Sequence, residues 1–365
     1  MKLLFSFLFF TLCLNVPGSA QDNAPVKIAV VGLTHSHVHW ILGREDKGDI
    51  SMVGVVEPNK DLAERFLGQH GLSMDLWYPD MESLFAVTLP DGVTAFGSIY
   101  EHLEVVQVCA PKGIHVMVEK PLAISTEHAK EMQALAERYG IHLLTNYETT
   151  WYSTNHKVFE QIHGENPIGP LRRVVINDGH EGPKEIGVNK EFLDWLTDPA
   201  QNGGGAVIDF GCYGANLMTW LMKGERPLSV TAELKQIKPE IYPEVDDDAT
   251  LLLQYPETKG VIQASWNWPF SRKDMEVYGA TGYLIAKNNL EFASRLAGDK
   301  EETTEILEKR PYPYDDPFSF FAAVINEEIN VEPFDLSSLE NNMIVVEILE
   351  AAIQSAESGE RVMLE

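Results

Sequence analysis

Apolar residues fall into two rhythms along this chain. In the first, short unbroken apolar runs alternate with stretches of helical period. Val26-Lys27-Ile28-Ala29-Val30-Val31 runs into Gly32, the pattern of a strand buried on both faces that meets a tight turn. Val38 to Leu42 starts a helix, and Ser51 to Val56 is a second strand ending at Glu57-Pro58. Leu62 to His70 and Val105 to Lys112 have helical spacing, the latter closed by Gly113. Ile114 to Val118 is a strand, Glu127 to Tyr139 a helix, and Ile141 to Thr145 a strand. This alternation predicts an α/β domain over residues 25–145, built on a doubly wound parallel sheet of the nucleotide-binding kind.

The second rhythm starts near residue 146 and extends to residue 365. Leu171 to Asn177, Ser229 to Ile237, Ala249 to Tyr255, Gly260 to Trp266 and Met275 to Tyr278 read as strands in near succession. Turns such as Pro256-Glu257-Thr258-Lys259-Gly260 join several of them, and a helix from Leu336 to Glu357 closes the chain. These features predict an α+β domain with a large, mostly antiparallel open sheet, helices on one face and the other face available to a second copy of the chain.

Residues 1–20 stand outside both rhythms. Lys2, the apolar run Leu3 to Leu12, Pro17 and the small residues Gly18-Ser19-Ala20 predict a Sec-type signal peptide cut before Gln21. The protein is therefore expected in the periplasm or outside the cell. The run is too short to span a membrane as a mature helix, and no later segment predicts a span. Leu12 is too bulky for Cys13 to start a usual lipoprotein site. The formal charge of −27 argues against partners with phosphate backbones or anionic lipid surfaces. Cys109 and Cys212, in different domains and apolar contexts, read as small buried hydrophobes.

The first turn departs from the pattern its sheet predicts. A dinucleotide-binding turn uses G-x-G-x-x-G so that the backbone can approach a pyrophosphate. Here it reads Gly32-Leu33-Thr34-His35-Ser36-His37, with Thr34 and His37 in place of the later glycines. Three readings stand side by side. Thr34, His35, Ser36 and His37 donate to phosphate beside the helix amides; or the turn only packs and the cofactor is lost; or His35, His37 and His39 bind a metal. No Cys or acid at metal spacing lies nearby in sequence, so no metal is expected. Glu57, ending the second strand, is placed to accept from ribose hydroxyls and to repel a 2′-phosphate, which favours NAD over NADP.

Val118-Glu119-Lys120-Pro121-Leu122, just after a strand, resembles the E-K-P segment of the Gfo/Idh/MocA oxidoreductase family (glucose-fructose oxidoreductase, inositol dehydrogenase and relatives). Gly203-Gly204-Gly205-Ala206-Val207-Ile208-Asp209-Phe210-Gly211-Cys212-Tyr213 is similar to the family's second signature. Ile168-Gly169-Pro170 and Tyr278-Gly279-Ala280-Thr281-Gly282 extend the likeness, and His102 stands where the family often has a histidine. The resemblance implies a Rossmann-type first domain that binds NAD(P), with Glu119 and Lys120 at the cofactor. It implies a sugar or polyol substrate and, in many relatives, a cis bond before the proline. It also implies catalytic roles. Lys120 polarises the reacting hydroxyl, Asp209 orients, and Tyr213 takes the acid/base place where many relatives have His. For Tyr213 to act so, Lys120 is expected to lower its pKa. The four-residue spacing predicts that Asp209 and Tyr213 share one helix face.

Other residues carry weaker expectations. Trp151, Tyr152 and His156 follow the last strand of the first domain, near the implied substrate cleft. His180 and Lys184 lie in a polar loop placed to cover it. Trp266 and Trp268 are expected to cover core or an interface rather than to touch sugar. Asp246-Asp247-Asp248 reads as a solvated hairpin turn rather than a calcium site. Export complicates the redox reading, because a free NAD pool is not expected outside the cytoplasm. The cofactor is then tightly held, recycled or absent. The alternative is a keto-sugar lyase, hydrolase or epimerase using the same Lys/Tyr pair, and a third is a silent sugar-binding protein.

Overall fold

A computed structural model describes residues 24–364, so the expected signal peptide and Cys13 lie outside the described residues. The first sheet contains β1 (Val26–Val31), β2 (Ile50–Val56), β3 (Trp77–Tyr78), β4 (Gly92–Ala95), β5 (His115–Glu119) and β6 (Leu143–Asn146). Its order is β3-β2-β1-β4-β5-β6, parallel throughout. This is the doubly wound Rossmann arrangement, and the strand order reverses between β1 and β4, where ligands of such sheets bind. β4 escapes the apolar pattern because it is short and opens on Gly92. That glycine is required: a Cβ there would lie 2.8 Å from both Phe321 and Ile325.

Those two residues belong to the helix Pro317–Ile325, which returns from the far end of the chain to the first sheet. Its Phe318, Phe320 and Phe321 share a core with Val26, Ile28 and Val30 of β1. Nothing in the helical period of 317–325 marks this destination, since the helix is apolar on nearly every side.

The second sheet contains β7 (Leu171–Gly179), β8 (Ser229–Lys235), β9 (Asp248–Gln254), β10 (Lys259–Ser265), β11 (Arg272–Gly279), β12 (Gly282–Ala286), β13 (Glu291–Leu296), β14 (Thr303–Ile306) and β15 (Val362–Met363). The order is β14-β13-β12-β11-β7-β10-β9-β8-β15. Within this second sheet, among the described residues, only β7 and β10 pair in parallel. Side chains alternate as a one-sided sheet requires. Ala249, Leu251 and Leu253 are buried against helices, while Leu252 points away and is exposed. Helices Gly211–Leu221 and Leu339–Ser358 cover the inner face. The latter begins three residues later than its apolar pattern suggests, because the Ser338 hydroxyl caps it by accepting from Asn341 N–H at 3.1 Å. Cys109 and Cys212 are buried and free.

Candidate active site

Lys120 directly follows β5, at the carboxyl end of the first sheet, and its bond to Pro121 is cis. Its ammonium reaches the second domain. It donates to the Asp209 carboxylate in a short ion pair and to the Asp209 carbonyl at 3.1 Å. The other Asp209 oxygen accepts from the Trp266 indole N–H at 2.9 Å. All three side chains are buried. Burial alone would raise the Asp209 carboxyl, but the Lys120 ammonium outweighs it and holds the carboxyl at about 2. Burial likewise works against the Lys120 charge, and Asp209 reverses that, so the ammonium keeps its proton. Trp266 is fully buried in the core of the second domain, in line with the core half of the expectation, and through its bond to Asp209 it also supports the site. Its place one residue past β10 turns the indole inward.

The glycine loop explains how Asp209 arrives there. Asp246 Oδ1 accepts from Gly205 N–H at 2.8 Å and Oδ2 from Val207 N–H at 2.7 Å. A Cβ on Gly205 would overlap the Asp246 carbonyl, so only glycine fits. Asp246 is therefore neither a solvated turn nor a calcium ligand but the anchor of the loop, its carboxyl pushed up to about 6 by burial. Asp209 and Tyr213 do not share one helix as expected. Ala206–Asp209 ends at Phe210, and Gly211–Leu221 begins a new segment.

Tyr213 is buried with two ammonium groups over its ring, Lys120 Nζ at 5.3 Å and Lys273 Nζ at 4.6 Å from the ring centroid. Tyr147 meets it edge-on at 5.4 Å. The expected lowering of its pKa is not found. Burial, with Glu148 and Asp178 nearby, pushes the phenol well above its ordinary value, and the lysines face the ring.

A second polar wall faces this group and was not legible in the sequence. Asp178 on β7 and Lys273 on β11 sit opposite each other in register. Lys273 pairs closely with Glu148, which also accepts from the Tyr152 hydroxyl at 2.6 Å. Asp178 has no hydrogen-bond partner for Oδ1, and burial pushes its carboxyl well above the ordinary range. One signal was available. Asp178 continues the inward parity of Val174 and Ile176, where a charge has no structural reason to be.

The remaining expected residues divide. His180 reaches the site, its ring edge-on to Phe210 at 4.8 Å and its Nδ1 accepting from Gly182 N–H at 2.9 Å. Tyr152 supports the second wall through Glu148. Trp151 sits one layer back, donating to Asn146 Oδ1 at 3.1 Å. His156 faces away: it bonds the Thr150 carbonyl at 2.9 Å and packs edge-on against Trp220. Lys184 is exposed.

At the first turn, Gly32 has φ 79°, and a Cβ there would lie 2.6 Å from Gly97 N. Three amides of the turn are spent internally. Leu33 N–H donates to Glu57 Oε2 at 3.0 Å, His35 N–H to the Phe96 carbonyl at 2.8 Å, and His37 N–H to His35 Nδ1 at 3.1 Å. Glu57 also accepts from Asn59 N–H at 2.9 Å, and its carboxyl is raised by burial. Thr34 accepts from the Trp195 indole at 3.0 Å, so a strap from the second domain lies over the turn. The same strap joins Gln201 to the Ser98 hydroxyl at 2.8 Å. His37 Nδ1 and Glu119 Oε2 are 2.9 Å apart, and Glu119 Oε1 accepts from Asn146 at 2.7 Å. His39 turns instead to His70, 2.9 Å away, so the three histidines do not converge.

Beside this turn, a cavity of about 810 Å³ opens past β1, β2 and β4. Gly32, Pro58, Asp80, Gly97, Glu101 and His102 line it. Its size, its place at the strand-order reversal and the bare backbone at Gly32 and Gly97 fit the adenosine half of a dinucleotide.

A Rossmann sheet joined to a large open sheet, with a buried Lys–Asp pair at the seam, defines a two-domain oxidoreductase of the dinucleotide-binding class. Comparison with known proteins agrees. Residues 26–147 match the oxidoreductase family with NAD-binding Rossmann fold, and residues 157–285 match the GFO/IDH/MocA C-terminal domain. The chain belongs to the Gfo/Idh/MocA oxidoreductase family. It is 30% identical to trans-1,2-dihydrobenzene-1,2-diol dehydrogenase of Xenopus tropicalis over 60% of this chain and 61% of that one. The chain thus spans under two thirds of that relative. It is 20% identical to D-glucoside 3-dehydrogenase of Escherichia coli K12, over 95% of this chain and 99% of that one. The aldose-aldose oxidoreductase of Caulobacter crescentus, complexed with glycerol, has the same fold, with a TM-score of 0.77 and 19% identity over 93% of this chain and all of that one.

Proposed function

We propose that this protein is an NAD-dependent oxidoreductase acting on the CH–OH group of a sugar or polyol, and that it works after export. The observation that carries this is the buried, ionised Lys120–Asp209 pair with Tyr213, His180 and Asp178 close by. The glucoside and aldose activities named for two similar proteins support a sugar-like substrate. Gly32, Thr34, His35, Ser36, His37, Glu57 and Glu119 would hold the dinucleotide, which when bound supplies the hydride acceptor. The acidic cavity wall of Asp80, Glu82, Glu101 and Glu104 favours NAD over a cofactor with an added 2′-phosphate.

Lys120 keeps its proton and therefore acts as a donor. It binds the substrate oxygen and stabilises negative charge on it as the carbinol is oxidised. The hydroxyl proton passes to Lys120 as Lys120 hands one of its own to the Asp209 carboxylate, so the ammonium is kept while Asp209 becomes neutral; in the reverse direction the same relay runs backwards and protonates the carbonyl oxygen. Asp209, fixed by Trp266, holds that ammonium in place. Tyr213, a neutral phenol, orients the same hydroxyl by hydrogen bonding. Because Sec export carries an unfolded chain, the cofactor is acquired afterwards and retained through turnover. We further propose that copies pair through the open face of the second sheet, around Leu252 and Val261. A monomeric mass in solution would remove that part.

The deciding experiment is to purify the mature protein from its native compartment, denature it and assay the supernatant for nicotinamide dinucleotide by mass spectrometry. Near-stoichiometric NAD is expected. None found, together with no binding of added NAD or NADP, overturns the reading.

A further inference from the structure

The turn that lost its glycines gained nitrogen ligands. Donor atoms of His35, His37 and Glu119 lie within 4.8 Å of one another. A tetrahedral ion with bonds of about 2.1 Å spaces its donors by roughly 3.4 Å. His37 and Glu119, 2.9 Å apart, already meet that spacing, and His35 closes it by a small side-chain adjustment.

The surroundings are those of a metal site rather than of a plain hydrogen-bond network. His35 is buried, and its Nε2 has no partner, an arrangement that costs about 1–3 kcal/mol unless something binds there. Glu119 is oriented from behind by Asn146, which is itself held by Trp151. Such outer contacts fix ligands for a metal. Phe192 and Trp195 pack on the His35 ring, and Trp40 lies flat on His37 with centroids 3.8 Å apart. These walls limit competing water. Burial keeps both imidazoles neutral, as ligation requires. The nearby cations Lys120 and Lys273 are each paired with an acid, Asp209 and Glu148, so their charges do not oppose a divalent ion unscreened.

We infer that His35, His37 and Glu119 form a three-ligand site for a divalent transition metal of the zinc class, next to the Lys120 ammonium. Three protein ligands leave at least one position for water or a substrate oxygen. Because the same three side chains are proposed to meet the dinucleotide, the metal is tested in its absence, and either site can fail without the other.

The test is zinc binding by the EDTA-treated full chain in the absence of nucleotide, measured by titration calorimetry and by elemental analysis after dialysis. About one equivalent of zinc is expected, with affinity reduced at least about 100-fold in His37→Ala and in Glu119→Gln. His39→Ala, outside the cluster, should bind as the parent does. Circular dichroism verifies that each variant is folded. Cobalt added to the parent chain should give visible absorption bands of a histidine-ligated, low-coordinate ion, a readout that needs no variant. No retained zinc and no cobalt bands, or zinc held equally by His37→Ala and Glu119→Gln, overturns the inference.

Discussion

The domain seam and the first turn are built on opposite electrostatic plans. At the domain seam, Lys120 and Asp209 stay charged because each neutralises the other, and Trp266 satisfies the remaining oxygen. A glycine loop pinned by Asp246 delivers Asp209 there, with no slack for a side chain. At the first turn, burial holds the His35 and His37 imidazoles neutral and raises the Glu57 carboxyl, and three amides are turned inward. The first plan suits moving charge onto a substrate oxygen. The second suits binding something through lone pairs and shape. The Rossmann frame tolerates both, because each sits at the carboxyl ends of strands whose packing lies elsewhere.

If the seam carries the chemistry, its variants should lose rate and the turn's should lose binding. Lys120→Ala should lower turnover about 1,000-fold or more with the fold retained, measured by single-turnover hydride transfer on a panel of glycosides. A loss below tenfold breaks the contrast. Glu57→Ala should weaken NAD binding at least about tenfold and leave the rate of bound enzyme nearly unchanged, since it lies at the turn. Unchanged NAD affinity removes Glu57 from the site. Gly205→Ala should destabilise by about 3 kcal/mol, read from denaturant midpoints, because the added methyl overlaps the Asp246 backbone. Trp266→Phe should be milder, about 1–2 kcal/mol, by leaving one Asp209 oxygen unsatisfied.

How much of this was written in the sequence follows the same division. The Rossmann sheet was legible where strands are long and apolar, but β4 was not, being short and begun by a glycine. Lys120, Asp209 and Tyr213 were legible because they sit in motifs. Trp266, Lys273, Glu148 and Asp178 were not, because single residues on separate strands meet only through the sheet's register. Asp246 was misread because three adjacent acids look solvated, and only the fold reveals the amides one of them caps. The histidine turn was visible as an anomaly. Its true partner, Glu119, lies far along the chain and comes close only because β5 ends beside β1's turn in space.

The smallest expected effect is also the sharpest test of the contrast, since it gives the two ends opposite responses to acid. His102, lining the cavity by the turn, is held at about 4 by burial against an ordinary 6.5. The folded state therefore binds fewer protons than the unfolded one between those values, and stability at that end falls as pH drops from 6.5 toward 4. Asp246 behaves in the reverse way. Its folded value of about 6 lies above the ordinary 3.8, so the folded state takes up the proton first and gains stability as pH falls through that window. Asp209, at about 2, adds a loss only below 3.8. Between pH 6 and 4 the two shifts partly cancel in a global melt. Hydrogen exchange resolved by segment should separate them, with residues 96–109 opening faster at pH 5 than at pH 7 and residues 203–213 opening more slowly. His102→Gln should abolish the first change, and Asp246→Asn the second. Parallel behaviour of the two segments would mean that the seam and the turn are electrostatically one unit.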